Sequence, residues 1–448
     1  MPTIITGVVA CCLLHQTVAF SCLHHNVGIP GRMVQRRELL SLSVSSGSVE
    51  QEEMTTMSQQ LEIKDEAGDD DDMIIDYTNL PPLADPTADP SDDLFRSIRR
   101  DWPVPFIHFL RDTGVVRFLQ DALFVLVLIP YILSEYPTAL SRYLQLPVEK
   151  IRYGNHPSQV IDLLHPPAQQ NNNNKMKNNK KTKGLLVFCH GGAWGSGRPW
   201  MYRLVGECFL RANYSVAVWG YRTYPDGRLP EQTQDLHDAL SLLRNRHNNN
   251  NDDDDCPITV MGHSSGAHVA VLAALQSSSS SFSSTSTTTT NNNKDNTDGR
   301  PLCDNLILLN GIYDLSRHYE WETARGVEEI SGLKPVSGNN DRQEWVRNSP
   351  TRIVQNCTEP LSSSSFPSIL IVHGGNDTTV PYTTAVNLTK ALYKNNPEHF
   401  SKAGSCRLEL LPTTGHADTV IDLMMGGPTQ DVVLDWMEGQ QQQRRRQC

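Results

Sequence analysis

The chain has 448 residues, 38% hydrophobic and 20% charged, with a formal net charge of −11. An apolar fraction this low leaves part of the length without a core to join. Glu50 to Asp93 holds 15 acids against one lysine, a local charge of −14, so the remainder sits near +3 and makes no basic footprint for nucleic acid. Ten cysteines without a CxxC pair argue against a disulfide scaffold and a structural zinc site. No metal or cofactor is expected.

In chain order, Ile4–Leu14 is an apolar run followed by the small residues Thr17, Val18 and Ala19. It predicts a signal or targeting segment over 1–19, too short to span a bilayer. Residues 21 to 49 carry Arg32, Arg36, Arg37 and several serines, with Glu38 the one acid, a composition that resembles a transit peptide behind a signal. Residues 20–95 read as a disordered acidic linker, because Asp- and Pro-rich sequence buries too little apolar area to offset its ordering entropy. Ala122–Leu133 (ALFVLVLIPYIL) holds 12 residues without a charge. As a helix it reaches about 18 Å, against a hydrocarbon core of about 30 Å. Segment 96–140 is therefore expected either to lie in or dip into a membrane surface, or to pack on the next domain.

One folded domain is expected over 145–438, interrupted by low-complexity inserts at 169–183, 248–255 and 277–298. Strands are predicted at Leu185–Cys189, Ser215–Trp219, Ile258–Met261, Leu306–Leu309, Ile369–Val372 and Leu408–Leu411, and helices at Leu229–Leu243, Gly266–Leu275, Thr383–Tyr393 and Asp431–Met437. The alternation predicts an α/β fold, a mostly parallel sheet with helices on both faces. Each insert precedes a strand and so emerges at the N-terminal edge of the sheet. Ligands in such sheets bind at the opposite edge.

Gly262-His263-Ser264-Ser265-Gly266 is a G-x-S-x-G pattern between a predicted strand and an apolar helix, which exposes a serine hydroxyl on a tight turn. A serine nucleophile needs a base, and the base an orienting acid. Asp377 follows the strand Ile369–Val372, and His416 lies in the loop after Leu408–Leu411. The order Ser264, Asp377, His416 is the one found in α/β hydrolases. Asp314 is a rival acid that reads as opening a small cap over 312–365, and Asp418 reads as a helix start. His190-Gly191-Gly192-Ala193-Trp194 follows another strand. The N–H groups of Gly192, Ala193 and Ser265 are the expected oxyanion hole. Tyr319, Trp321 and Trp345 in the cap are candidates to line an acyl pocket.

HGGAW, Tyr221-Arg222 with Pro225, GHSSGAH with its trailing His268, GIYDL, Arg325–Ser331 (RGVEEIS), HGGNDTTVP and GHAD together resemble the esterase branch of the α/β hydrolases with an HGG oxyanion motif. Within that branch they most resemble the isoprenylcysteine α-carbonyl methylesterases, over roughly 145 to 438. The resemblance implies hydrolysis of a methyl ester on a prenylated cysteine by a Ser-His-Asp acyl-enzyme mechanism, without metal or cofactor. It implies a small-molecule or lipidated-cysteine substrate and an endomembrane location, endoplasmic reticulum or Golgi; the tail composition offers a plastid as the alternative. Kynurenine formamidases share HGGxW and GHSxGAH, so an arylformamidase is a second reading. A catalytically silent binding module is a third, and retention of all three triad members argues against it.

Overall fold

The computed structural model describes residues 82–87, 92–123, 125–126, 129–166, 182–250, 256–278, 301–339, 341–362 and 364–447. The signal segment 1–19, nearly all of the linker 20–95 and most of each insert lie outside the described residues. The described part belongs to one compact unit.

Eight strands make one sheet: β1 Val148–Arg152, β2 Val160–Leu164, β3 Leu185–Cys189, β4 Ser215–Trp219, β5 Ile258–His263, β6 Asn305–Leu309, β7 Ser368–Gly374 and β8 Cys406–Leu411. Their order is β1-β2-β4-β3-β5-β6-β7-β8. The β1/β2 and β2/β4 pairs are antiparallel, and every other pair is parallel. Each residue of β3 to β6 is buried, as continuous apolar runs covered on both faces require. The two-residue period divides them between two cores. Val187, Cys189, Ala217, Val260, Leu306 and Ile371 face one; Leu186, Phe188, Val218, Met261, Ile307 and Val372 face the other. This is the α/β-hydrolase fold.

The helices that matter here are α1 Asp92–Asp101, α2 Val104–Asp112, α3 Val115–Leu123, α4 Ile129–Glu135, α5 Ala139–Gln145, α6 Gly206–Arg211, α7 Leu229–Asn250, α8 Ser265–Ser278, α9 Leu315–Arg325, α10 Thr383–Asn395, α11 Asp418–Met425 and α12 Pro428–Gln447. Helices α7, α8 and α10 cover the first core through Leu236, Leu240, Val271 and Leu388. Helices α6, α11 and α12 cover the second through Phe209, Leu423, Val433 and Trp436.

The predicted strands and helices all appear: β3 and β4 have the predicted bounds, and the others extend further, α7 as far as Asn250 and α12 as far as Gln447. Strands β1 and β2 were not legible. VEKIR has charges at three of five positions on the sheet edge, and VIDLL hides Asp162, whose carboxylate takes a hydrogen bond from Arg203 Nε at 2.7 Å. Helix α12 continues beyond 438 to Gln447. The amides of Gln440 and Gln441 in α12 reach back to the carbonyls of Gly404 and Lys183, each at 2.8 Å.

Within Ala122–Leu133, α3 ends at Leu123 and α4 begins at Ile129; of the stretch between them only Val125 and Leu126 are described, and both are π-helical. Val125 and Leu126 are 45% and 71% exposed, while Ile132 packs on the second core. No described helix is long and apolar enough to cross a membrane. Helices α1 to α3 dock by polar contacts. Arg99 meets Glu328 at 2.6 Å, His108 meets Glu329 at 2.7 Å, Arg117 meets Asp226 at 2.6 Å, and Tyr224 donates to Asp112 at 2.8 Å. Glu328 and Glu329 of the RGVEEIS segment thus serve as anchors for the N-terminal helices.

The described flanks of the inserts meet at the N-terminal strand ends. Leu185 N–H donates to Pro257 O at 3.0 Å and Ile258 N–H to the Asp304 carboxylate at 2.8 Å.

Candidate active site

Ser264 follows β5 and begins the turn into α8 with φ of 54°, a left-handed conformation that is strained for a residue with a side chain. Its N–H continues the strand ladder to Leu309 O at 2.9 Å, so the turn is held from β6 as well as β5. Gly266 allows that turn, since a Cβ there would collide with the Cys189 carbonyl of β3. The hydroxyl therefore stands at the C-terminal edge of the sheet.

His416 lies in the loop between β8 and α11. Its Nε2 is 3.0 Å from Ser264 Oγ and its Nδ1 is 2.7 Å from Asp377 Oδ2. Asp377 follows β7 and is 1% exposed. Its other oxygen accepts the N–H groups of Thr379 and Val380, both at 2.8 Å. Burial by itself would raise the carboxyl pKa. The opposing His416 and His373 contacts outweigh it and hold Asp377 well below the usual carboxylate range. His373 donates from Nε2 to Val380 O at 2.9 Å and so fixes the acid loop.

The expected oxyanion loop follows β3. Gly192, Ala193 and Trp194 have φ of 129°, 47° and 59°. A Cβ at Gly192 would collide with the Ser196 carbonyl, so only glycine fits. Gly191 packs directly on Ser264 and His263. The N–H of Ser265 opens α8, where first-turn donors have no intrahelical acceptor and the helix dipole favours negative charge. The structure thus brings Ser264, Asp377, His416, Gly192, Ala193 and Ser265 to one sheet edge. Asp314 is elsewhere, capping α9 through Ser316 and Arg317 N–H and paired with Arg352 at 2.9 Å. Asp418 starts α11 and accepts Gly415 N–H at 2.7 Å. Among the described residues no cluster of His, Cys, Asp and Glu has metal-site form.

Several contributors were not assigned from the sequence. Trp194 Nε1 donates to His268 Nδ1 at 3.0 Å, which leaves His268 Nε2 to donate to Asn348 O at 2.8 Å. The Trp of HGGAW and the last His of GHSSGAH are therefore one unit, tying the oxyanion loop to the nucleophile helix and the cap. Tyr221 OH donates to His190 O at 3.0 Å, and its ring stacks on His190 at 4.7 Å. Burial pushes His190 and His268 down to about 4 and His263 to about 3, so all three are neutral. The signal for these residues was their place inside the motifs. Their partners are distant in sequence.

The cap aromatics divide. Trp321 Nε1 donates to Thr378 O at 2.9 Å and joins α9 to the acid loop. Trp345 donates to Asn339 O at 2.7 Å and packs on Tyr319 at 5.1 Å, so both serve the interior of the cap.

A family model described as BD-FAE matches residues 174–392. Among curated proteins the chain is similar to the probable isoprenylcysteine alpha-carbonyl methylesterase ICMEL1 of Arabidopsis thaliana, 23% identical over 287 residues, 62% of this chain and 54% of that protein. It is similar also to ICMEL2 of the same plant, 24% identical over 315 residues, 70% of this chain and 66% of that protein. The chain spans between about half and two thirds of the length of these relatives. Among solved structures, esterase B from Lactobacillus Rhamnosis (HN001) matches with a TM-score of 0.48 and 18% identity over 71% of this chain and 96% of that chain. The chain has the α/β-hydrolase fold, and the proteins it resembles in sequence bear the names of methylesterases.

Proposed function

We propose that the chain is a serine carboxylesterase that hydrolyses a methyl ester of a prenylated cysteine. The observation that carries the reaction class is the alignment Ser264–His416–Asp377 at 3.0 and 2.7 Å beside the HGG loop. The names of the relatives support the choice of ester.

In this reading His416 Nε2 takes the Ser264 proton as Oγ attacks the ester carbonyl. Asp377 holds the Nδ1–H tautomer and stabilises the imidazolium. The N–H groups of Gly192, Ala193 and Ser265 receive the oxyanion. His416 then protonates the departing alcohol, and water repeats the sequence on the acyl-enzyme.

A membrane surface is the proposed meeting place with a lipidated substrate. Phe106, Phe109, Phe118, Val125 and Leu126 are 38%, 59%, 70%, 45% and 71% exposed, and they belong to the same short N-terminal stretch whose polar groups bind the body. A surface of this kind suits lying on a bilayer rather than crossing it.

The test is a panel on the purified chain: p-nitrophenyl acetate, S-farnesylcysteine methyl ester and N-formylkynurenine. Turnover of the first two is expected. Cleavage of N-formylkynurenine with an inert farnesylcysteine ester would move the function to the arylformamidase reading. Phe118→Asp with Leu126→Asp should reduce sedimentation with phosphatidylcholine/phosphatidylserine vesicles and leave p-nitrophenyl acetate hydrolysis intact; undiminished sedimentation overturns the surface.

A further inference from the structure

The imidazole of His416 can face Ser264 only if the main chain beneath it is held, because the residue sits in a loop with no ladder of its own. Three side-chain donors from three different elements converge on its carbonyl oxygen. His263 Nε2, at the end of β5, is 3.0 Å away; Asn310 Nδ2, just past β6, is 3.3 Å away; Thr419 Oγ1, in α11, is 3.1 Å away. Asn310 also donates to Gly415 O at 3.2 Å and accepts Gly374 N–H of β7 at 3.0 Å. It therefore ties the base loop to the strand that carries the acid.

Both side chains are committed to this task. Asn310 is 0% exposed, and its φ of 46° is a left-handed conformation that asparagine tolerates better than most residues. His263 is 8% exposed and immediately precedes the nucleophile. A carbonyl only accepts, so Nε2 of His263 must carry the proton, and Nδ1 is left buried without a partner. The cost of that orphan acceptor argues that the other nitrogen is placed for a purpose. The ring also lies 5.0 Å from the His416 ring.

We propose that His263 and Asn310 are positioning residues that aim the base, acting through the main-chain carbonyl of His416. The inference rests on the esterase reading of the same site. Neither side chain touches the reacting atoms; each limits how far the imidazole can swing from Ser264 Oγ. A displacement of about 1 Å at such a group costs about 100-fold in rate.

The experiment compares the wild-type chain with His263→Leu, His263→Gln, Asn310→Gly and the double variant His263→Leu/Asn310→Gly, using p-nitrophenyl acetate and fluorophosphonate labelling. His263→Leu and Asn310→Gly should each lower kcat about 10- to 100-fold with KM within twofold, and slow labelling in parallel. His263→Gln keeps an N–H donor and should recover most of the loss. The double variant should lose less than the product of the singles, since both act on one carbonyl. Asn310→Gly keeps the left-handed backbone, so it reads the hydrogen bonds even if His263→Leu does not fold. Full kcat in Asn310→Gly and a folded His263→Leu, with an active wild type, overturns this inference alone. A wild-type chain with neither turnover nor labelling overturns the esterase reading, and this inference with it.

Discussion

The two ends of the same parallel strands are built differently. At the C-terminal edge Ser264, Asn310, Ala193 and Trp194 all have left-handed backbone, and buried side chains bond to main-chain groups of neighbouring loops. At the N-terminal edge the described flanks of the inserts are joined by ladder bonds and by partly exposed pairs such as Arg444–Asp304. One edge is held by buried side chains bonded to main-chain groups of neighbouring loops. The other asks only that the chain enter the strand in register, and loop closure there changes slowly with length, about 0.6 kcal/mol per doubling. Strain and buried polarity are concentrated where the chemistry is proposed.

That contrast is most easily broken at the triad. Ser264→Ala should remove ester turnover and fluorophosphonate labelling while the melting temperature stays close to wild type. A residual acceleration of roughly 10³–10⁴ over water is the most that binding and the oxyanion loop are expected to leave. Wild-type turnover in this variant would remove the catalytic meaning of the strained edge.

Acid should attack the same edge next. His190, His263 and His268 have pKa values pushed by burial to about 4, 3 and 4. An unfolded histidine titrates near about 6.5. Between those values the unfolded chain binds protons that the folded one does not, so stability falls as pH falls. The slope is about 1.4 kcal/mol per pH unit for each histidine. Their contribution is intact above about pH 6.5 and is lost progressively toward pH 4. Melting curves from pH 7.5 to 5 should show the decline, and His268→Gln should flatten it. A melting temperature constant over that range contradicts the buried neutral state.

The far edge should yield much smaller effects. Replacing residues 279–298 with a short Gly/Ser loop is expected to leave kcat within a few-fold, because Ser278 and Pro301 flank it on the side away from Ser264. A folded deletion with a hundredfold lower kcat would erase the distinction between the edges. Smallest of all, Arg444→Ala should cost at most about 1 kcal/mol by denaturant titration and leave KM unchanged, as expected for a half-exposed ion pair.

The parallel strands were legible because burial on both faces leaves continuous apolar runs, and LLVFC and SVAVW have no helical period to confuse them. Strands β1 and β2 were hidden because one is a charged edge and the other carries Asp162 against Arg203. The apolar stretch Ala122–Leu133 shows the limit from the other side. Its composition was plain, but the exposure of Leu126 and the packing of Ile132 on the second core depend on what the rest of the body offers it.

For the site, the sequence by itself determined the identities and order of Ser264, Asp377 and His416, and the glycines of both turns. Those are local demands: a tight turn excludes a Cβ, and a nucleophile needs a base and an acid in some order along the chain. Only the tertiary structure decided what holds them. His263 and Asn310 meet the His416 carbonyl across separations of 153 and 106 residues, and Trp194 meets His268 across 74. A hydrogen bond is satisfied by distance and angle in space, and nothing in the local pattern of a strand end says which distant carbonyl will arrive beside it.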